Sequence, residues 1–296
     1  MASSTDYRST RLGVATVSYG SAAVLAPFLD SLPAATASPI IAVVADNQTG
    51  DNRAATVVRD RGAVYLQMPS NLGYGSAINA AVERLPASVE WILISNPDLV
   101  ATPGSIDALL RVGNEDAAIG SVGPATIGAS GELYPSARAI PSLRTGIGHA
   151  LFANLWPANP WSRSYRLDGP DAERRRDAGW LSGACLLVRR SAFVELDGFD
   201  PGYFMYFEDV DLGYRLGKLG YRNVYEPAAV VIHSGAHSTN SSSGAMIAAH
   251  HASAQRFLSK KYSGPLRWPL RAALSVGLTL RSAIERGRLN RHASIN

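Results

Sequence analysis

Residues 90–98 read Glu-Trp-Ile-Leu-Ile-Ser-Asn-Pro-Asp. An apolar run stops abruptly at Asn96-Pro97-Asp98, where a proline ends regular pairing and leaves two polar side chains at the carboxyl end of the run. Three earlier segments repeat the plan: Leu12 to Ser18, Ile40 to Ala45 and Ala63 to Gln67 read as strands, and Ser21 to Ser31, Asp51 to Arg61 and Gly75 to Leu85 between them read as helices. Strands alternating with helices predict βαβ units and an α/β fold built on a mostly parallel, Rossmann-like sheet flanked by helices. Ligands of such sheets bind beyond the carboxyl ends of the strands. The residues there are Tyr19, Asp46 with Asn47, and Asn96-Pro97-Asp98, a polar and partly acidic set.

The 296 residues, 46% hydrophobic and 18% charged, suffice for one large domain, or for a domain of roughly 250 residues with an appendage. The expected division is a domain over 1–240 and a C-terminal helical extension over 241–296. Cys185 is the only cysteine, so no intrachain disulfide can form and a reducing, cytoplasmic setting is expected. Met1 to Arg11 lacks the apolar core of a secretory signal, and no run reaches the ~20 apolar residues of a membrane span. The net charge is +4, and basic residues crowd the C-terminal stretch: Arg256, Lys260, Lys261, Arg267, Arg271, Arg281, Arg286, Arg288 and Arg291, with Glu285 the only acid. Such a tail suits an anionic surface. The interleaved aromatic signature of RNA binding is missing, so nucleic acid is not expected as a partner. Pro135 to Asp177 has no clear period and reads as a variable segment on the acceptor side.

Trp180 to Arg189 then reads as a strand, and after a short helix comes the densest motif. Gly198-Phe199-Asp200-Pro201 precedes Tyr206-Phe207-Glu208-Asp209-Val210-Asp211-Leu212, and Leu212, Leu216 and Leu219 give an apolar stripe for a helix that begins near Glu208. Crowded carboxylates repel unless something compensates, and a helix N-terminus supplies part of that. Taken alone, the cluster also fits an ordinary acidic helix start. Likewise Asp98 could cap a helix at Pro103, Asp46-Asn47 could merely turn the chain, and His233, ending the strand Ala229 to Ile232, could be a packed histidine. The Gly73-Tyr74-Gly75 pair lacks the third glycine and the preceding first strand of a dinucleotide fingerprint, so a nicotinamide cofactor is not indicated.

Val17-Ser18-Tyr19, Val44-Ala45-Asp46-Asn47, Ser95-Asn96-Pro97-Asp98 and the stretch from Trp180 to His233, in that order and over about residues 12–238, resemble the family-2 glycosyltransferases. The resemblance implies a GT-A fold and an inverting, metal-dependent transfer from a nucleotide-sugar. It makes Asp209 the general base, with Glu208 and Asp211 as acceptor or active-site support. Val17, Ser18, Tyr19, Asp46, Asn71, Gly75, Asn96 and Asp98 fall at the nucleotide-sugar. Small residues such as Gly75 would let the backbone approach the ligand. Asp98 and His233 would hold a divalent cation, Mg²⁺ or Mn²⁺, with Asn96 at the first position of the family's Asp-x-Asp motif. Within the family, the nearest likeness is to rhamnosyltransferases that move L-rhamnose from dTDP-L-rhamnose to polyprenyl-diphosphate-linked N-acetylglucosamine in cell-wall linker (arabinogalactan) synthesis. UDP-galactofuranose, UDP-glucose and GDP-mannose remain alternative donors, and a basic non-catalytic binding protein is the alternative outside enzymes. A lipid-linked acceptor implies an enzyme peripheral on the inner face of the cell membrane. There Arg267, Arg271, Arg281 and Arg288 would share one arc of a helix over Pro265 to Arg291, with Trp268 off that arc as an anchor. Leu270, Leu274 and Leu278 share the arginine arc, which leaves a helix packed on the domain as the alternative. A homo-oligomer stays open.

Overall fold

The computed structural model describes residues 10–142, 173–233 and 243–279. Most of the expected acceptor-side segment, and Arg281, Arg286, Arg288 and Arg291, lie outside those residues.

The first half alternates as expected: β1 (Leu12–Ser18), α1 (Ala22–Ala35), β2 (Ile40–Asp46), α2 (Arg53–Asp60), β3 (Val64–Gln67), α3 (Tyr74–Glu83) and β4 (Trp91–Ser95). Then come β5 (Leu99–Ala101), α4 (Ser105–Glu115), β6 (Ile119–Gly128), β7 (Leu133–Tyr134), β8 (Ala137–Arg138), β9 (Arg176–Ala178), β10 (Trp180–Leu181) and β11 (Cys185–Arg189). The chain closes with α5 (Arg190–Glu195), α6 (Glu208–Lys218), β12 (Arg222–His233) and α7 (Ser243–Lys261). The main sheet runs β3-β2-β1-β4-β11-β6-β12-β5. The β1, β2, β3 and β4 pairings are parallel, β12 lies parallel to β6, and β11 is inserted antiparallel between β4 and β6. This is the mixed α/β, mostly parallel architecture that the sequence predicts.

Both faces of the sheet are covered, which is why β1 is buried along its whole length and reads as a continuous apolar run. One face carries α1, α2 and α4, packing Leu25, Phe28, Val58, Ile106, Leu109 and Val112 onto Val14, Val44, Leu93 and Leu187. The other carries α3, α5 and α6, packing Ile78, Phe193, Leu212 and Leu216 onto Ala15, Val43, Ile94 and Val188.

Two expectations are corrected and one alternative is set aside. Trp180 to Arg189 is not one strand: β10 pairs with β8 in a separate two-stranded sheet and β11 joins the main sheet, so the chain breaks at Ser182-Gly183-Ala184. The alternative of a helix at Pro103 capped by Asp98 is not met: the helix begins at Ser105 behind the left-handed Gly104 (φ 71°), and the Asp98 carboxylate turns to His233. Leu219 at the end of the α6 stripe is exposed, while Leu212 and Leu216 are buried.

The α7 helix shares a core with α6, its Phe257 buried beside Trp180, Tyr203 and Val210. Part of the basic tail is consumed there. Arg256 and Lys260 pair with Asp200 at 2.8 Å, Lys260 also reaches Asp211, and Lys261 donates to the Pro141 carbonyl. These three cations are ties within the fold, not a free anionic-surface patch. Among the described residues no helix is long and apolar enough to cross a membrane.

Candidate active site

The strand ends meet as the parallel sheet dictates. Asp46, buried at the end of β2, sits in register with Ser18 at the end of β1. Its carboxylate accepts the Gln48 N–H (3.2 Å) and the Tyr65 hydroxyl (3.0 Å). Burial raises its pKa, and those two hydrogen bonds pull it back. Tyr65 is pushed up to about 12 by burial and then by the Asp46 charge. Tyr65 and Gln67, which donates to the Asp46 carbonyl (3.1 Å), had no motif of their own in the sequence. The signal for them was register: Asp46 pairs with Gln67 across a parallel ladder.

Around this corner, Val17 and Ser18 are buried in β1 and Tyr19 is exposed just beyond it. Asn47 donates to the Gly73 carbonyl at 3.1 Å, and exposed Asn71 accepts the Gly73 N–H at 3.1 Å. Gly73 has φ 85°, and a Cβ there would lie 2.1 Å from the Phe204 carbonyl oxygen, so glycine is required on two counts. Gly75 is buried at the start of α3. A Cβ on Gly75 would sit 2.9 Å from Cβ of Phe199 and 3.7 Å from Cβ of Glu208, so its small size serves the packing of α3 within the protein.

At the other end of the site, Asp98 follows β4 and His233 ends β12. Their chains are held together because His233 lies opposite Leu99 in the antiparallel β12 and β5 pair. Asp98 Oδ1 and His233 Nε2 are 3.0 Å apart, and the Asn96 amide nitrogen is 3.4 Å from the same ring atom. Carboxylate oxygen with imidazole nitrogen is a donor pair that suits Mn²⁺ and similar divalent ions. Among the described residues no group of three or more His, Cys, Asp or Glu side chains could hold a metal. Two such side chains alone are the number that Mg²⁺ usually takes from a protein when substrate phosphates supply its other oxygens.

The break at Ser182-Gly183-Ala184 joins this half of the site to the acidic cluster. The Ala184 carbonyl accepts the Asn96 N–H at 2.8 Å, and the neighbouring Gly183 N–H donates to Asp209 Oδ2 at 2.9 Å. The Gly183 carbonyl accepts the Tyr74 hydroxyl at 2.7 Å. Three small residues inside an apolar run were the available signal, and apolar periodicity alone passes over it.

Glu208 and Asp209 open α6. The two residues before them, Tyr206 and Phe207, hold left-handed φ values of 67° and 66°, a conformation that costs roughly 1–2 kcal/mol per non-glycine residue and persists only under tertiary pressure. That pressure comes from α7: the His250 ring packs edge-on to both rings at 5.5 and 5.4 Å, and Phe257 lies 5.8 Å from Phe207. The result turns both carboxylates into the protein. Glu208 is buried, its Oε2 has no hydrogen-bond partner, and burial together with the Asp209 charge pushes it up to about 8. Asp209 is raised too, mainly by burial, although the Gly183 and Val210 N–H groups and the charge of Arg138 oppose the rise. Asp211 does not join them. It is wholly buried and bound by Arg215 (2.6 Å), Lys260 and the Tyr203 hydroxyl (3.3 Å). It ties α6 to α7 and is not available to an acceptor.

Residues 10–253 match the family described as Glycosyltransferase like family 2. The chain belongs to glycosyltransferase family 2. It is 43% identical over 293 residues, 94% of this chain and 95% of the relative, to the N-acetylglucosaminyl-diphospho-decaprenol L-rhamnosyltransferase of Mycobacterium tuberculosis. A shorter match, 44% over 82 residues, covers 28% of the chain and 31% of rhamnosyltransferase WbbL of Escherichia coli K12. Among solved structures, the mannosyltransferase PcManGT from Pyrobaculum calidifontis, in complex with GDP-Man and Mn²⁺, superposes with TM-score 0.57 at 16% identity, over 96% of this chain and 79% of that one. GalNAc-T7 with UDP, GalNAc and Mn²⁺ superposes at 0.55 with 14% identity, over 76% and 44%. These two likenesses carry the GT-A fold alone; the family match and the near full-length relative make the chain a glycosyltransferase.

Proposed function

We propose that this family-2 enzyme transfers L-rhamnose from dTDP-L-rhamnose to a hydroxyl of a polyprenyl-diphosphate-linked N-acetylglucosamine, with inversion, at the inner face of the cell membrane. The specificity draws on the relative's activity on the decaprenol-linked sugar and on its near full-length match. The chemistry draws on one observation: the Ser182-Gly183-Ala184 break holds Asp209 and Asn96 by adjacent backbone groups. A base and a donor-side anchor sharing one rigid segment keep a fixed separation, which is what a single in-line displacement requires.

In this reading Asp46 at the end of β2 receives the base or ribose of the nucleotide, with Ser18, Tyr19 and Asn71 around it. Asp98 and His233 would hold the divalent cation, which when bound neutralises charge on the departing diphosphate. Asp209 accepts the proton of the acceptor hydroxyl. That oxygen bonds to the anomeric carbon as the bond from carbon to the diphosphate oxygen breaks, and one displacement inverts the centre. The Gly183 N–H fixes the carboxylate's direction and Tyr74 steadies Gly183 from the other side. Isothermal titration with dTDP, UDP and GDP in the presence of Mn²⁺ tests the donor assignment: dTDP is expected to bind tightest, and a clear preference for UDP or GDP overturns it.

A further inference from the structure

The C-terminal helical run over 268–279 packs against α7 with one face and leaves the other bare. Its inner face is marked by Leu270, Leu274 and Leu278, all half-buried, by the hydrogen bond between Gln255 and Ser275, and by Arg271, whose guanidinium donates to the carbonyls of Tyr262 (3.2 Å) and Gly264 (2.7 Å). The arc that carries an arginine and the leucines is thus turned toward the protein. At 100° per residue the opposite arc carries Trp268, Pro269, Ala272, Ala273 and Val276, all exposed, and Leu266 projects from the turn just before it. Leu266 is 94% exposed, Trp268 64% and Val276 59%. No charged side chain interrupts this face.

We infer that this face is a membrane-docking surface that sets Leu266, Trp268 and Val276 into the headgroup boundary of an anionic bilayer. The contact is made by apolar side chains; the arginine arc of the same helix does not make it. Three observations point to a bilayer as the occupant. Exposed apolar side chains on a helix, with a tryptophan at one end and cations at its flanks, are what an interfacial helix presents. Exposed Arg267 adjoins the face, stacked 5.9 Å from the Tyr262 ring, and no acidic residue occurs between positions 262 and 284, so an anionic surface meets no repulsion. Finally, a run of this length is about 18 Å long, and one side of it offers on the order of 200 Å², far below the ~800 Å² per partner of a stable protein complex. A bilayer needs no such area, because Coulomb attraction to anionic headgroups adds to insertion. The inference rests on the lipid-linked acceptor proposed above for its purpose, and the physical case stands on the face itself.

The test is flotation of the full-length chain with vesicles of equimolar phosphatidylglycerol and phosphatidylcholine. The wild type is compared with Leu266→Ser/Trp268→Ser/Val276→Ser and with Arg267→Gln. Circular dichroism and dTDP binding check that each variant is folded. The triple variant is expected to lose at least ~10-fold in partitioning, since it removes three exposed apolar side chains that the bilayer would bury in part, and Arg267→Gln less. High salt should weaken wild-type binding without abolishing it. Equal partitioning of the triple variant and wild type overturns the inference. So does a wild type that ignores vesicles and instead shows concentration-dependent dimers by sedimentation velocity that the triple variant lacks, since the face would then serve a second copy. Rhamnosyl transfer to a short-chain, water-soluble acceptor is read in parallel. Its absence in the wild type counts against the proposed function, while vesicle binding still decides the surface.

Discussion

Glu208→Gln separates the electrostatics of the acidic pair from its chemistry. The native carboxyl is buried, one oxygen lacks a hydrogen bond, and its pKa rises from 4.5 to about 8 through burial and then the Asp209 charge. The folded protein therefore binds this proton more tightly than the unfolded chain does. The stabilising proton is fully in place below the ordinary glutamate pKa, and its contribution is lost as pH rises through the raised value. At about 1.4 kcal/mol for each tenfold change in proton affinity, the rise from 4.5 to about 8 is worth at most about 5 kcal/mol. Because part of the rise comes from the charge of neighbouring Asp209, a few kcal/mol is the expected effect. Glutamine mimics the protonated acid, so urea unfolding near pH 4 should give equal stabilities, and near pH 9 the variant should be more stable by on the order of a few kcal/mol. Because native Glu208 already holds its proton where the acid limb of the kcat profile lies, glutamine keeps a neutral group beside Asp209, and transfer should persist with that limb unmoved. A variant no more stable than wild type near pH 9 would refute the claim that Glu208 is held against its charge.

Asp209→Asn should lower kcat by ~10²–10⁴ and leave nucleotide affinity within a few fold, measured by steady-state transfer and titration calorimetry. Normal turnover in that variant, with Glu208→Gln inactive, would move the base to Glu208. Asp98→Ala and His233→Ala should weaken Mn²⁺-dependent donor binding alike, and chelator should silence the wild type; full activity in EDTA would remove the cation roles of both. Lys260→Met strips one of the two cations from wholly buried Asp211, and thermal unfolding should report a loss of about 2–4 kcal/mol. An unchanged Tm would show that Arg215 suffices.

The first half of the fold was legible because the sheet's physics is local there. β1 has the predicted ends, and β2 and β4 differ by one residue, since strands buried on both faces are bounded by the loss of apolar character. α1 ran past its expected end at Ser31 to Ala35, with Pro33 inside it, because Leu32 and Ala35 are buried against the core. The second half resisted for a different reason. β10 and β11 read as one apolar run, and only their partners, Arg138 for Trp180 and Ser95 for Cys185, assign them to different sheets. Partnership of that kind is not written in periodicity. β12 begins at Arg222, well before the expected Ala229, because Arg222, Asn223 and Glu226 break the apolar pattern, and its register with β6 shifts between Glu226 and Val230. In the site, the positions of Asp46, Asp98 and Asp209 followed from strand and helix ends. That Asp211, two residues after Asp209, is a buried tie was not legible, because α7 supplies its partner Lys260 from 49 positions away. The same helix supplies His250, whose role at Tyr206 and Phe207 has no local signature.

The central claim is that Asp209 drives single-displacement transfer of L-rhamnose onto a lipid-linked N-acetylglucosamine. Its most direct test is incubation of the wild type and Asp209→Asn with dTDP-L-rhamnose, Mn²⁺ and a polyprenyl-diphosphate N-acetylglucosamine, with the product's mass and anomeric configuration read by mass spectrometry and NMR. A rhamnosylated product of inverted configuration is expected from the wild type and almost none from the variant. Retention of configuration, or equal product from Asp209→Asn, would contradict it.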